Sequence, residues 1–167
     1  MSTPPVTPVP AAWPDLAGRL IETPPGRRHV LPVRVYFEDT DFSGLVYHAS
    51  YVRWCERGRS DFLRLVGNDH RALMAGIDGR EAAAFVVRRM QLEFLKPARI
   101  DEILEVTTRV KKLGAATLVL DQRVSRAGVS LFEAEVTVVL VSQSGRVLRL
   151  SKALRDAMAA HTEVLNR

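Results

Sequence analysis

Ser50-Tyr51-Val52-Arg53-Trp54-Cys55-Glu56-Arg57-Gly58-Arg59-Ser60-Asp61-Phe62-Leu63-Arg64-Leu65-Val66 has the rhythm of one long amphipathic helix. Tyr51, Val52, Cys55, Phe62, Leu63 and Val66 recur at the spacing that gathers side chains on one helical face. Ser50 is read as the N-cap and Gly67 as the stop. Gly58 falls among the apolar positions, where a missing side chain lets the helix approach a neighbouring layer closely. A helix with one apolar face needs such a layer to bury it.

The flanking segments supply that layer. Upstream, Val33, Val35 and Phe37 alternate with Arg34, Tyr36 and Glu38, which predicts a strand over Val30 to Glu38. Downstream, after a short helical linker around His70 to Gly76, the even-numbered positions carry the apolar set. They run Met90, Leu92, Phe94; Leu104, Val106, Val110; Leu118, Leu120, Val124; and Phe132 to Leu140, with charged residues between them. This is the period of an antiparallel sheet with one buried face. Arg126-Ala127-Gly128 reads as a hairpin link and Ser142 to Gly145 as a second turn. A brief strand near Val147 to Leu150 and a closing helix from Ser151 to about Ala160 follow. The fold class is α+β, a sheet of five or six strands curled round one long helix, although other helix-on-sheet folds share this pattern.

A chain of 167 residues with 47% apolar content suits one domain that buries roughly two thirds of its unfolded surface. Pro4, Pro5, Pro8, Pro10 and Pro14 are too dense for a helix or a ladder. Residues 1–28 are therefore read as a Pro-rich tail and 29–167 as the folded domain. Cys55 is the one cysteine, so no intramolecular disulfide forms, and neither a leader nor a membrane span is recognised. A cytoplasmic setting is expected. The net charge of +5 favours polyanions, including nucleic acid, anionic lipid or coenzyme A, and equally suits a merely solubilising surface.

The chemistry is sought in Glu38-Asp39-Thr40-Asp41-Phe42-Ser43-Gly44-Leu45-Val46-Tyr47-His48. Asp39 to Gly44 begins like a calcium loop, but the twelfth position is Ser50 instead of glutamate, and a strand precedes it where that motif needs a helix. A reactive carboxylate fits better. Asp41 lies in a glycine-bearing loop that runs into a helix N-terminus, where free N–H groups can polarise a carbonyl while a carboxylate attacks or activates water. The alternative is an ordinary turn or helix cap.

Glu38-Asp39-Thr40-Asp41, Gly44, Val46-Tyr47-His48, Tyr51 and Glu56-Arg57, with the weaker Phe94-Leu95-Lys96-Pro97-Ala98 and Asp101, resemble the signature of hotdog-fold thioesterases. The 4-hydroxybenzoyl-CoA thioesterase type, in its Tol-Pal-associated acyl-CoA thioesterase branch, is the nearest pattern. The resemblance covers residues 30 to about 150. It implies an acyl-CoA thioester hydrolase in which Asp41 is nucleophile or general base. The backbone N–H of His48 would polarise the carbonyl, and Tyr47 and the His48 side chain would shape the catalytic site. Gly44, Val46, Ser50 and Tyr51 would bind substrate. Asp39 would fix the loop or, as a second option, form an acid/base couple with Asp41. Coenzyme A would enter as part of the substrate, with no metal and no separate cofactor. Subunits would pair through a continuous sheet into a homodimer, often doubled to a homotetramer. The chain departs from the family pattern at Ser50, where asparagine is common, and at Phe42-Ser43, where small residues are.

His29, His70 and His161 have no metal-ligand spacing and are read as surface or packing residues. Cys55 is read as an inert buried thiol, and Trp54, Tyr51 and Phe62 as core or interface residues. Arg88-Arg89, Arg99 and Lys111-Lys112 either meet coenzyme A phosphates or line the exposed face of a strand. Two other readings stay open: an acyl-carrier-protein thioesterase, and a non-catalytic module holding acyl-CoA or nucleic acid. The second has no recognisable nucleic-acid motif behind it.

Overall fold

A computed structural model describes residues 18–23, 26–67, 70–76, 81–159 and 161. In chain order the elements are β1 (Arg19–Thr23), β2 (Gly26–Arg34), α1 (His48–Leu65), α2 (His70–Ala75), β3 (Ala83–Phe94), β4 (Ile103–Leu113), β5 (Thr117–Arg126), β6 (Val129–Ser142) and α3 (Lys152–Ala159). The strands form one antiparallel sheet in the order β1-β2-β4-β5-β6-β3. Helix α1 crosses this sheet over β2, β4 and β5. The expected single long helix on a six-stranded sheet is present. Among the described residues no helix is long and apolar enough to cross a membrane.

The even-numbered phase of the strands is the buried phase. Leu104, Val106, Val110, Leu118, Leu120, Val124, Phe132, Ala134 and Val136 meet Trp54, Cys55, Phe62 and Leu63 of α1 in one core. Two even positions, Thr108 and Gln122, are polar and fully enclosed. Gln122 donates from Nε2 to the Cys55 carbonyl and to Thr108 Oγ1, both at 2.9 Å, and accepts from Arg59 at 2.7 Å. A buried amide left unpaired costs about 1–3 kcal/mol, so these bonds set where the helix lies on the sheet. Gly58 sits at the same point. A Cβ built there would be 3.1 Å from Thr108 Oγ1 and 3.2 Å from Val106 Cγ1, so the expected close approach is real. Cys55 is enclosed, and burial pushes its thiol up to about 12, which leaves it protonated and inert.

Four boundaries differ from the sequence reading. The first expected strand ends at Arg34, and Phe37 is 82% exposed in a 3-10 turn over Phe37–Asp39. There the Asp39 carboxylate accepts the Tyr36 N–H at 2.9 Å and the Thr40 hydroxyl donates to the Phe37 carbonyl at 2.9 Å, local bonds that compete with a ladder. Helix α1 starts at His48, so Ser50 is not its cap but a buried first-turn residue. The segment read as a tail contains β1, which pairs with β2 from Arg19↔Val30 to Thr23↔Gly26; residues 1–17 lie outside the described residues. Val147 makes a single bridge to Val141 instead of a strand. Both expected turns form: Ala127 and Gly128 take φ of 48° and 80° in the hairpin, and Gly145 takes 82°.

Strand β3 is the sheet edge opposite β1. A bulge between Val87 and Arg89 shifts its phase. Phe85 and Val87 in its first half and Met90 and Leu92 in its second face the helix layer. Of the residues expected to be buried, Phe94 is half exposed, because an edge strand has neighbours on one side only.

Gly58→Val places branched carbons against Val106, Thr108 and Gln122 and is expected to cost about 1–3 kcal/mol, read as a lower urea midpoint. An unchanged midpoint would mean that the helix-to-sheet spacing is not set at Gly58.

Candidate active site

The loop before α1 is pinned at both ends. Thr40 bridges Val46 and Leu45 bridges Arg99. The Asp41 N–H donates to the Leu45 carbonyl at 3.0 Å, the Gly44 N–H to the Asp41 carbonyl at 3.0 Å, the Val46 N–H to the Ala98 carbonyl at 2.9 Å and the Tyr47 N–H to the Asp39 carbonyl at 2.8 Å. Between these ties residues 41–45 project as a tight turn. Gly44 closes it with φ of 74° and open space where a side chain would stand, a conformation that favours glycine.

Two aspartates separated by one residue receive different environments. Asp39 is buried, and its carboxylate is spent on the Tyr36 N–H. Its carbonyl also accepts the Ser50 hydroxyl at 3.2 Å, so Asp39 joins the 3-10 turn, the loop and the helix. Asp41 faces solvent. Its Oδ1 accepts the Ser43 N–H at 2.8 Å and the Ser43 hydroxyl. These bonds, hydroxyl first, hold its carboxyl below the ordinary carboxylate range, with a smaller contribution from the charge of His48. Among the described residues both donors to Asp41 meet Oδ1 and none meets Oδ2.

Helix α1 opens immediately after the loop. Its first N–H groups, those of His48 and Ala49, have no acceptor within the helix, and the positive end of the helix dipole lies here. The ring of His48 packs on that of Tyr47 at 4.3 Å and edge-on to Phe94 at 6.4 Å. Tyr47 and His48 are both exposed. Asp41, Tyr47 and His48 therefore share one accessible corner.

The residues assigned to substrate take two kinds of place. Gly44 lies at the surface of the turn, whereas Val46, Ser50 and Tyr51 are buried. Ser50 bonds to Asp39 and accepts Arg53 Nη2 at 2.9 Å. Tyr51 stacks on Phe132 at 5.3 Å, and its hydroxyl accepts the Ala98 N–H at 3.0 Å. Burial is the largest influence on that hydroxyl and raises its pKa. Ala98, from the second quoted motif, thus ties to both Val46 and Tyr51, and Asp101 donates its N–H to the Val35 carbonyl at 2.9 Å with φ of 64°. The residue that sequence reasoning left without a role is Ser43. Its signal was the Asp-x-Ser spacing of a side-chain-bonded turn.

The other residues singled out in the sequence take the following places. The carboxylates of Asp39 and Asp41 serve different donors, and among the described residues no group of three or more His, Cys, Asp or Glu is placed to hold a metal. His29 is enclosed, with Nε2 2.7 Å from Asp61 Oδ2. Burial is the main cause that lowers its pKa, so it is a packing residue. Arg88, Arg89, Arg99 and Lys112 are exposed, and Lys111 pairs with Glu135 at 2.7 Å.

Comparison with known proteins adds an independent line. Residues 43–133 match the family model described as Thioesterase superfamily. The acyl-CoA thioester hydrolase YbgC of Escherichia coli is 49% identical over 111 residues, 66% of this chain and 79% of that protein. The acyl-CoA thioesterase YbgC of Haemophilus influenzae is 37% identical over 110 residues, 66% of this chain and 78% of that protein. Among solved structures, a probable thioesterase from Bartonella henselae superposes with a TM-score of 0.71 at 41% identity, covering 74% of this chain and 99% of that one. The sheet wrapped on α1, the loop that delivers Asp41 to its N-terminus and these matches agree: the chain belongs to the Thioesterase superfamily and has its hotdog fold.

Proposed function

We propose that this thioester hydrolase converts an acyl-CoA to a free acid and coenzyme A, with Asp41 as the reacting carboxylate. The observation that carries the reading is a solvent-facing, ionised Asp41 whose Oδ2 is free among the described residues, held at the start of α1. The names of the YbgC relatives support acyl-CoA as the substrate. Either as nucleophile or as base for water, Asp41 must be ionised, and the Ser43 bonds favour that form. As a nucleophile it reacts as follows. Asp41 Oδ2 attacks the thioester carbon, the oxyanion is met by the N–H groups of His48 and Ala49, and the C–S bond breaks. Coenzyme A leaves as the thiolate and takes a proton from water. Water then cleaves the mixed anhydride, which releases the acid and restores the carboxylate. The route needs no metal and no separate cofactor. Tyr47 and the His48 ring wall the entrance, Gly44 lets the turn clear it, and Val46, Ser50 and Tyr51 hold its shape.

The unpaired edge of β3 supports pairing with a second copy. Val86, Val87 and Phe94 are exposed along it beside Arg88, Arg89, Gln91 and Glu93, and an unpaired edge can take a further strand. An antiparallel pair with its two-fold axis at the middle of β3 sets residues 83–87 of one copy against 90–94 of the other.

Asp41→Asn is expected to lower thiol release from acyl-CoA substrates by about a hundredfold or more with the circular dichroism spectrum unchanged; equal rates would sink the assignment. Ser43→Ala removes a bond that favours the charged form, so the Asp41 pKa rises. Because activity needs the carboxylate, the acid limb of the kcat/KM profile should move to higher pH, and a stationary limb would show that Ser43 does not govern Asp41.

A further inference from the structure

Ser50 and Arg53 lie one turn apart on α1, so their side chains meet on one face of the helix. Ser50 is fully enclosed, whereas Arg53 is exposed. Arg53 Nη2 donates to Ser50 Oγ at 2.9 Å, and the Ser50 hydroxyl donates to the Asp39 carbonyl at 3.2 Å. The same carbonyl accepts the Tyr47 N–H at 2.8 Å, which fills both of its lone pairs. A guanidinium has no acceptor atom, so Arg53 can only donate, and the Ser50 proton turns away from it towards Asp39. The direction of the chain from Arg53 through Ser50 to Asp39 is therefore fixed.

A serine inside a helix otherwise bonds back to a carbonyl of the preceding turn. Here the Tyr47 carbonyl already accepts the Ser50 N–H at 2.8 Å, and a hydroxyl whose oxygen is held by a cation is polarised into a stronger donor. Arg53 thus commits Ser50 to Asp39. The Asp39 carbonyl joins the two halves of the site. The loop that carries Asp41 leaves from it on one side, and the helix start is tied to it on the other through Tyr47, the residue before His48. Arg53 is not itself bonded to the reacting carboxylate, because both donors to Asp41 come from Ser43.

We propose, resting on the hydrolysis proposed above, that Arg53 is a positioning residue for that reaction. Acting through Ser50 and the Asp39 carbonyl, it holds the start of α1 where the N–H groups of His48 and Ala49 meet the oxyanion formed by attack of Asp41. Such donors stabilise a transition state when they are in place before the charge develops, and a misplacement of about 1 Å can cost on the order of a hundredfold. The ground-state thioester depends less on that alignment, so losing Arg53 lowers kcat and leaves KM. An arginine that met the coenzyme A phosphates directly would do the reverse, raising KM when removed. Ser43 thus keeps Asp41 charged, and Arg53 keeps the opposing N–H groups in place.

The test follows thiol release from whichever of acetyl-, hexanoyl-, palmitoyl- and benzoyl-CoA the wild type cleaves fastest, in Arg53→Met, Arg53→Lys, Ser50→Ala and the double variant Arg53→Met/Ser50→Ala, with Asp41→Asn alongside. Arg53→Met should lower kcat about fivefold or more with KM nearly unchanged, and its exposed position keeps the fold intact. Arg53→Lys, which retains a charged donor, should recover most of the loss. Ser50→Ala should be slowed by a similar factor, and the double variant no further, as expected of two residues acting through one link. Should Ser50→Ala fail to fold, Ser50→Cys, whose thiol is a weak donor, takes its place in the cycle. The acid limb of the kcat profile should stay where it is in Arg53→Met. An unchanged kcat, a loss confined to KM, a loss that adds in full to that of Ser50→Ala, or an acid limb moved to higher pH overturns the proposal, and hydrolysis at Asp41 still stands if Asp41→Asn is inactive. Asp41→Asn at the wild-type rate overturns both.

Discussion

The approach of α1 to the sheet at Gly58 is the constraint on which the rest of the structure depends. With no side chain there, the helix settles within contact distance of Val106 and Thr108, and Gln122 can reach across to the Cys55 carbonyl. Interiors are close-packed and transmit displacement, so this contact also sets the height of the helix start. The helix start in turn carries His48 and Tyr47, whose backbone is bonded to Asp39. A spacing decided in the core thus reaches the exposed loop through a rigid helix and two hydrogen bonds to the Asp39 carbonyl, from the Tyr47 N–H and the Ser50 hydroxyl.

Asp39 and Asp41 show how burial and hydrogen bonding divide the work between like residues. The first is enclosed and its carboxylate meets a backbone donor, so it builds. The second stands in solvent with one oxygen restrained by Ser43, so it stays charged and reachable. Neither property belongs to an aspartate as such. Each follows from the turn the residue sits in: Asp39 ends the 3-10 turn, and Asp41 opens the loop that Gly44 closes.

The polar residues inside the apolar layer repay the same attention. Thr108 and Gln122 interrupt the even-numbered phase, yet they lie where the helix backbone is close enough to accept their bonds. Arg59 joins that network, donating to Gln122 and to the Glu56 carboxylate.

Much of the fold was legible in the chain because periodicity reports burial directly. The even-numbered apolar residues of β4, β5 and β6 and the helical spacing from Tyr51 to Leu63 each needed only local geometry to interpret, and Gly58 and the Ala127-Gly128 turn behaved as their chemistry requires. The loop from Asp39 to His48 was legible as a motif, and in the structure Asp41 is exposed while Asp39 is buried and bonded to the Tyr36 N–H. Other features required tertiary structure. Phe37 alternates like a strand residue, but the Asp39 carboxylate bends the backbone there; Ser50 has the chemistry of a cap, but the bond from Tyr47 to Asp39 starts the helix two residues earlier. Strand β1 lay hidden in a Pro-rich segment because an edge strand is defined by its partner, and β1 acquires one only when β2 is placed. The sequence by itself determined which faces must be buried and where the loop with the two aspartates lies. Ties between segments that the chain does not place side by side, Val46 to Ala98 and Leu45 to Arg99 among them, decided where elements begin and how that loop is held.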